Sequence, residues 1–77
     1  MEADKIVKMA NQIASFFEAE PDRAVVVESI ASHLKRFWDP RMRREILRIV
    51  DEPAGDGLHD TVREAVRGNR ERLTPVE

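Results

Sequence analysis

Pro21, Pro40 and Pro53 divide this 77-residue chain into short segments. Proline lacks an amide hydrogen and clashes with the preceding turn, so a helix interior disfavours it, whereas the first turn of a helix accepts it. Within each segment, apolar residues recur at spacings of three and four rather than in two-residue alternation. These features predict an all-α protein: a small bundle of about four short helices, without a sheet, in a single domain over residues 1–77.

The first two segments each predict one amphipathic helix, over residues 4–18 and 22–37. At about 100° per residue, the apolar side chains of the first helix fall on one side, with Asn11 opposite them and Gln12 at the edge. That predicted buried face comprises Ile6, Met9, Ala10, Ile13, Phe16 and Phe17. The predicted buried face of the second helix comprises Val26, Val27, Ile30, Leu34 and Phe37, widened by Ala31 and Trp38, with His33 at its edge.

Asp39-Pro40 is the sharpest helix-start signal in the chain. Asp accepts a backbone N–H bond at the N-cap, and Pro at the next position loses no hydrogen bond. A third helix is therefore predicted from this point to about residue 51, and a fourth over 58–67 after a loop with one proline and two glycines. Gly68-Asn69 is predicted to cap the fourth helix, and residues 68–77 are predicted to form a polar, frayed tail. The predicted core residues of these two helices are Met42, Ile46, Ile49, Val50, Leu58, Val62, Ala65 and Val66.

The composition limits how so small a chain can be stabilised. It has no Cys and two well-separated His, so disulfides and thiolate zinc sites are excluded. A domain of this size buries only about 60% of the surface that its unfolded chain exposes, so its stability alone is marginal. We therefore expect packing, supplemented by a partner, to stabilise the fold. Because the sequence shows neither a signal-peptide pattern nor an apolar run of membrane-spanning length, we expect a cytoplasmic protein.

The charge is unevenly distributed along the chain. Residues 33–48 carry six basic and two acidic side chains, a net charge of +4. Residues 1–32 carry three basic and six acidic side chains, and residues 49–77 carry four and seven, so each flank has a net charge of −3. The stretch "FWDPRMRREI" (37–46) lies in the positive segment and contains the only Trp. We interpret this segment as either a solvated helix face or a docking surface.

Arg41, Arg44 and Arg48 fall together on the outer face of the third helix, and Arg43 lies close enough to stack on a half-buried Trp38. Arg and Trp are enriched at interface hot spots, which favours binding of an acidic partner. We find no arrangement of residues typical of a catalytic, cofactor or metal site. The residues predicted to contact a partner are Asn11, Gln12, His33, Trp38, Arg41, Arg44 and Arg48.

Three stretches resemble the delta subunit of cytosolic NAD-dependent formate dehydrogenases. They are "VKMANQIASFF" (7–17), "IASHLKRFWDPRMRREI" (30–46) and "GDGLHDTVREAV" (55–66). The resemblance implies a non-catalytic accessory subunit that supports assembly, stability or activity of the large catalytic subunit. It also implies partner subunits that carry a molybdenum or tungsten pterin cofactor, iron–sulfur clusters and FMN and oxidise formate to CO2 with NAD.

Two questions stay open at the level of sequence. The basic face of the third helix is also the footprint of a small helix-turn-helix-like nucleic-acid binder that would use Arg41, Arg44 and Arg48, although the overall acidity disfavours it. Within the formate dehydrogenase interpretation, the subunit could act as a maturation chaperone, as a permanent structural part, or as both.

Overall fold

The computed structural model describes residues 2–76. The helices are α1 (Ala3–Phe17), α2 (Arg23–Phe37), α3 (Pro40–Ile49), α4 (Asp60–Gly68) and a single turn, α5 (Arg70–Leu73). A 3-10 turn at Pro53–Gly55 lies between α3 and α4. No strand occurs within the described residues, so the predicted all-α fold is confirmed. The predicted bounds of the first three helices hold to within about two residues.

Side-chain caps fix where α2 and α3 begin. The Asp39 carboxylate accepts the amide N–H of Met42 at 2.9 Å, with Pro40 at the first helical position, as predicted. The Asp22 carboxylate accepts the amide N–H of Ala24 at 3.0 Å and starts α2 in the same way. Both caps depend on nearest neighbours along the chain, which explains why the sequence identified these boundaries.

The core lies where α1, α2 and α4 meet, with α3 packed against α1. Several of its positions are alanines, and small side chains let neighbouring helix axes approach closely. Its buried apolar residues are Ile6, Ala10, Ala14, Val26, Ile30, Ala31, Leu34, Trp38, Ile46, Ile49, Val50, Leu58, Val62, Ala65, Val66 and Leu73. The Cα radius of gyration is 11.2 Å, close to the roughly 11.5 Å expected for a compact domain of this length.

Phe16 and Phe37 correct the predicted buried faces, because both rings are exposed, at 76% and 68%. The line of full burial along α1 runs through Ile6, Ala10 and Ala14. At about 100° per residue, Phe16 lies about 160° around the helix from Ala14. The fold therefore packs the small alanines inward and turns the larger ring outward.

The C-terminal segment also differs from the prediction. The tail was expected to be frayed, but residues 70–73 form α5, and Leu73 is completely buried. Gly68 stays within α4 without a positive φ. The side-chain amide of Asn69 donates to the carbonyl oxygen of Ala65 at 2.8 Å instead, so Asn69 alone caps α4. One apolar residue in a polar stretch was too weak a signal to reveal that this turn packs on the core.

Candidate functional site

A groove lies between α1 and the C-terminal end of α2, lined by aromatic and apolar side chains. We call it the aromatic groove, and its lining residues are Met9, Gln12, Ile13, Phe16, His33 and Trp38. Phe16 and His33 also belong to a series of four neighbouring rings, in which Phe16 and Phe17 have centroids 5.2 Å apart and Phe17 and His33 6.1 Å apart. His33 and Phe37 follow at 4.8 Å. Because Phe16 and Phe37 are mostly exposed, the two ends of this ring series form an apolar surface open to a partner.

Trp38 forms the floor of the groove rather than a projecting anchor. Its side chain was predicted to be half-buried, but the residue is only 6% exposed. Trp38 is the C-cap residue of α2 and precedes the Asp39 cap of α3, so the chain turns at this position. The indole is therefore held by the core, and Phe16 and Phe37 present more ring surface to solvent than Trp38 does.

Gln12 and His33, predicted from their positions at the edges of two apolar arcs, both line the groove. Gln12 is exposed, and His33 is half-buried between the rings of Phe17 and Phe37. The fold thus brings Gln12 of α1 together with His33 and Trp38, which lie within α2 and at its end. The proximity of Gln12 to the other two was not visible in the sequence, which placed it on a different helix.

Asn11 is used inside the protein. Its side-chain amide donates to the carbonyl oxygen of Gly57 at 2.8 Å, and its side-chain oxygen accepts the amide N–H of His59 at 2.9 Å. These two bonds tie the middle of α1 to the segment that leads into α4. Asn11 was predicted as a partner contact, and the structure shows that both ends of its amide already have partners within the chain.

The outer face of α3 is less basic than its sequence indicates. Arg41, Arg44 and Arg48 are all exposed, as predicted. The Arg48 guanidinium, however, bonds Glu45 at 2.5 and 3.1 Å and Glu52 at 3.0 Å. Its hydrogen bonds hold the pKa of Glu45 below the ordinary value, so that carboxylate stays charged beside it. Arg48 is therefore neutralised locally, which weakens the nucleic-acid interpretation of this face.

The predicted stacking of Arg43 on Trp38 is not formed among the described residues. The Nε and Nη1 atoms of Arg43 are instead buried without a hydrogen-bond partner there. The cation–π pair of this region is Arg36, whose guanidinium carbon lies 5.8 Å from the centroid of the Phe37 ring. Arg36 thus places a positive charge at the rim of the aromatic groove, a position that sequence reasoning did not single out.

A second polar cluster, also missed by sequence reasoning, joins the end of α1 to the start of α4. The Glu18 carboxylate accepts the Thr61 hydroxyl at 2.6 Å and lies 3.0 Å from Nδ1 of His59. The Thr61 hydroxyl, together with the His59 ring, holds the pKa of Glu18 below its ordinary value. These residues are more than forty positions apart, so no local pattern connected them.

No grouping of three or more His, Cys, Asp or Glu side chains suited to hold a metal ion occurs within residues 2–76. Over the same residues, no helix has the length and apolar character needed to cross a bilayer.

The described residues thus form a small helical protein with an exposed aromatic groove between α1 and α2. Comparison with protein families then places the chain: the profile of the NADH-dependent formate dehydrogenase delta subunit, FdsD, matches residues 5–66. The match covers most of the chain and includes all three stretches quoted above, which confirms the resemblance. The chain belongs to this delta subunit family. Neither the comparison with curated proteins nor that with solved structures found a match.

Proposed function

We propose that this chain is a non-catalytic accessory subunit of a cytosolic NAD-dependent formate dehydrogenase. In that role it supports the assembly, stability or activity of the large molybdopterin-containing subunit. Membership of the delta subunit family supports association with such a complex. The partners in this proposal are the large catalytic subunit and its associated NAD- and FMN-binding subunits.

The exposed aromatic groove is the observation that carries the proposal. A chain of 77 residues has few large apolar side chains, yet Phe16 and Phe37 lie on the surface at 76% and 68% exposure. Burying a Phe side chain contributes roughly 1.5–3 kcal/mol, so leaving two outside the core forgoes a large share of a small domain's stability. A partner that covers both rings recovers that contribution in the complex.

In this proposal the redox chemistry belongs to the other subunits. They would hold the molybdenum or tungsten pterin cofactor, the iron–sulfur clusters and FMN, and would pass electrons from formate to NAD. This chain would act through binding alone. If this chain binds only the folded state of the large subunit, binding stabilises that subunit by mass action. By the same linkage, the large subunit stabilises the folded state of this chain.

Expression of the other subunits with and without this chain tests the proposal. We expect that, without it, the yield of assembled complex, its molybdenum and iron content per catalytic subunit, or its formate-dependent NADH production will fall. Adding the purified chain afterwards distinguishes the two modes of action. Recovery of activity indicates a structural part, and failure to recover with low metal content indicates a role in maturation. Equal yield, metal content and activity in both preparations would overturn the proposed function.

A further inference from the structure

Several basic side chains form ion pairs within the chain. Arg67 and Arg70 both bind Asp51, and Arg23 binds Glu64 at 2.9 Å, which link α4 and α5 to the end of α3 and to α2. Further pairs join Arg72 with Glu28, Arg63 with Asp60, and Arg48 with Glu45 and Glu52. In these pairs the basic side chains are neutralised by acidic groups of the same chain.

Two exposed basic side chains that flank Phe37 and Trp38 in the sequence are different. Arg36 lies over the Phe37 ring, and Arg41 follows three residues after Trp38; within residues 2–76 neither forms an ion pair. The nearby acidic side chains already have partners. Asp39 caps α3 through the Met42 amide, and Glu18 is held by Thr61 and His59. The groove thus combines exposed rings with positive charge that the chain itself does not neutralise.

From this arrangement, and resting on the proposed function, we infer that the aromatic groove binds an acidic amphipathic helix of the large subunit. The apolar stripe of that helix would cover Phe16, His33 and Phe37. Asp or Glu side chains at the edge of the stripe would reach Arg36 and Arg41. Arg is well suited to bind these carboxylates because its planar guanidinium forms paired hydrogen bonds with a carboxylate. A helix laid in a groove between two helices is an established mode of peptide recognition.

Charge argues against a second copy of this chain as the occupant. A twofold interface brings the same patch of both copies together, so the groove of one copy would face the groove of the other. Arg36 and Arg41 would then lie close to their own equivalents, and like charges at an interface weaken association. Addition of an extended strand is disfavoured too, because the described residues offer no sheet edge for it.

Paired variants in the full complex test the apolar part of the inference. In Phe16→Ser/Phe37→Ser the two exposed rings are removed. In the control Val25→Ser/Val76→Ser, two other exposed apolar side chains are changed, at 46% and 93% exposure. Each purified chain is titrated against the complex prepared without it. We expect the Phe variant to raise the dissociation constant about tenfold or more, and the control to leave it unchanged.

The charged part has a control on the same helix. Arg36→Glu places negative charge beside the Phe37 ring, whereas Lys35→Glu makes the same change two residues from both His33 and Phe37, on the far side of α2. We expect the Arg variant to bind more weakly. In the natural chain, added salt should lower the affinity because salt screens attraction between opposite charges. In the Arg variant, the affinity should no longer fall as salt is added. Lys35→Glu should retain both the affinity and its salt dependence.

A photo-crosslinking amino acid at position 16 or 37 identifies the occupant directly. We expect crosslinks to a segment of the large subunit with apolar residues at helical spacing and Asp or Glu beside them. Crosslinks to a basic segment, to another subunit or to a second copy of this chain would overturn the inference. So would unchanged affinity in the Phe variant. If removing the whole chain impairs the complex while the groove variants bind normally, the proposed function stands and this binding surface is wrong.

Discussion

At the residue scale, two polar contacts outside the groove hold the helices in position. Asn11 bonds the backbone at Gly57 and His59, and Glu18 bonds the side chains of Thr61 and His59. Both contacts join α1 to the start of α4, across more than forty residues of chain. They fix the orientation of α1, whose opposite edge supplies Phe16 to the aromatic groove.

Replacing Asn11 by Ala should destabilise the chain by about 1–2 kcal/mol. Each lost bond contributes about 1 kcal/mol, and the higher helix propensity of Ala offsets about 0.5 kcal/mol. Urea unfolding followed by circular dichroism measures the change. The control is Gln12→Ala, which changes an exposed side chain at the next position of α1. It should change the free energy of unfolding by less than about 0.5 kcal/mol. Equal effects of the two changes would contradict the stabilising role assigned to the two hydrogen bonds of Asn11.

Glu18 predicts a dependence of stability on pH. The pKa of Glu18 in the folded chain lies below the ordinary value of 4.5. The stability that its ionised carboxylate adds to the fold is therefore fully present above pH 4.5. The contribution is lost as pH falls through the lowered folded pKa. Between pH 6 and 3 the natural chain should therefore lose more stability than Glu18→Gln, which has no proton to take up at this position. Thermal unfolding across this range measures the difference.

The control for Glu18 is Glu71→Gln. Glu71 is exposed on α5 and, among residues 2–76, forms no ion pair. This variant should follow the pH profile of the natural chain. If Glu18→Gln also follows that profile, its contacts with Thr61 and His59 do not stabilise the fold.

At the scale of elements, the short 3-10 turn at Pro53–Gly55 limits how α3 connects to α4. Gly55 is buried against the end of α3. A Cβ atom at this position would overlap the carbonyl oxygen of Ile49 and lie 3.0 Å from its carbonyl carbon. Both atoms belong to the backbone, so they cannot move aside as the end of a flexible side chain would. The sequence indicated a loop here but could not show that one glycine is required by close packing.

Gly55→Ala should therefore destabilise the chain by about 1–3 kcal/mol, the usual range for overpacking. Gly68→Ala is the matched control, because a Cβ atom there meets no other atom within 4 Å and Gly68 has no positive φ. That change should stabilise the chain by about 0.4–1 kcal/mol through a lower entropy of the unfolded state. Thermal unfolding of both variants provides the comparison. A loss of stability in both would show that backbone flexibility, rather than the Ile49 contact, matters at Gly55.

At the scale of the whole molecule, α5 completes the bundle. Its turn contacts α2, α3 and α4, and Leu73 contributes a completely buried side chain to the core. Arg70 and Arg72 reinforce the contact by binding Asp51 and Glu28. The segment that the sequence indicated to be a frayed tail is therefore part of the folded unit, beyond the end of the family match at residue 66.

Leu73→Ala should cost about 2–5 kcal/mol, the usual range for truncating a buried Leu. For a chain of this size that is a large share of the total stability. Urea unfolding measures it, with Val76→Ala as the control because that side chain is 93% exposed. An unfolding free energy for Leu73→Ala within about 0.5 kcal/mol of the natural chain would show that α5 is not docked in solution.

The sequence by itself determined the four longer helices, most of the core and the family. The cap at Asp39 and the spacing of apolar residues act over one or two turns, so the sequence alone reveals them. The three quoted stretches identify the family through the order and spacing of their residues. Gln12 and His33 were identified as surface residues because each lies at the edge of an apolar arc.

Only the tertiary structure decided which large apolar side chains are exposed and which charged side chains form ion pairs with each other. Phe16 and Phe37 match their helical stripes as well as buried residues do, but alanines at Ala10 and Ala14 let the helices pack closely and rotate Phe16 outward. The bonds of Asn11 and Glu18 likewise depend on distant parts of the chain. Burial and pairing are set by the relative orientation of whole helices, and periodicity within one helix does not contain that information.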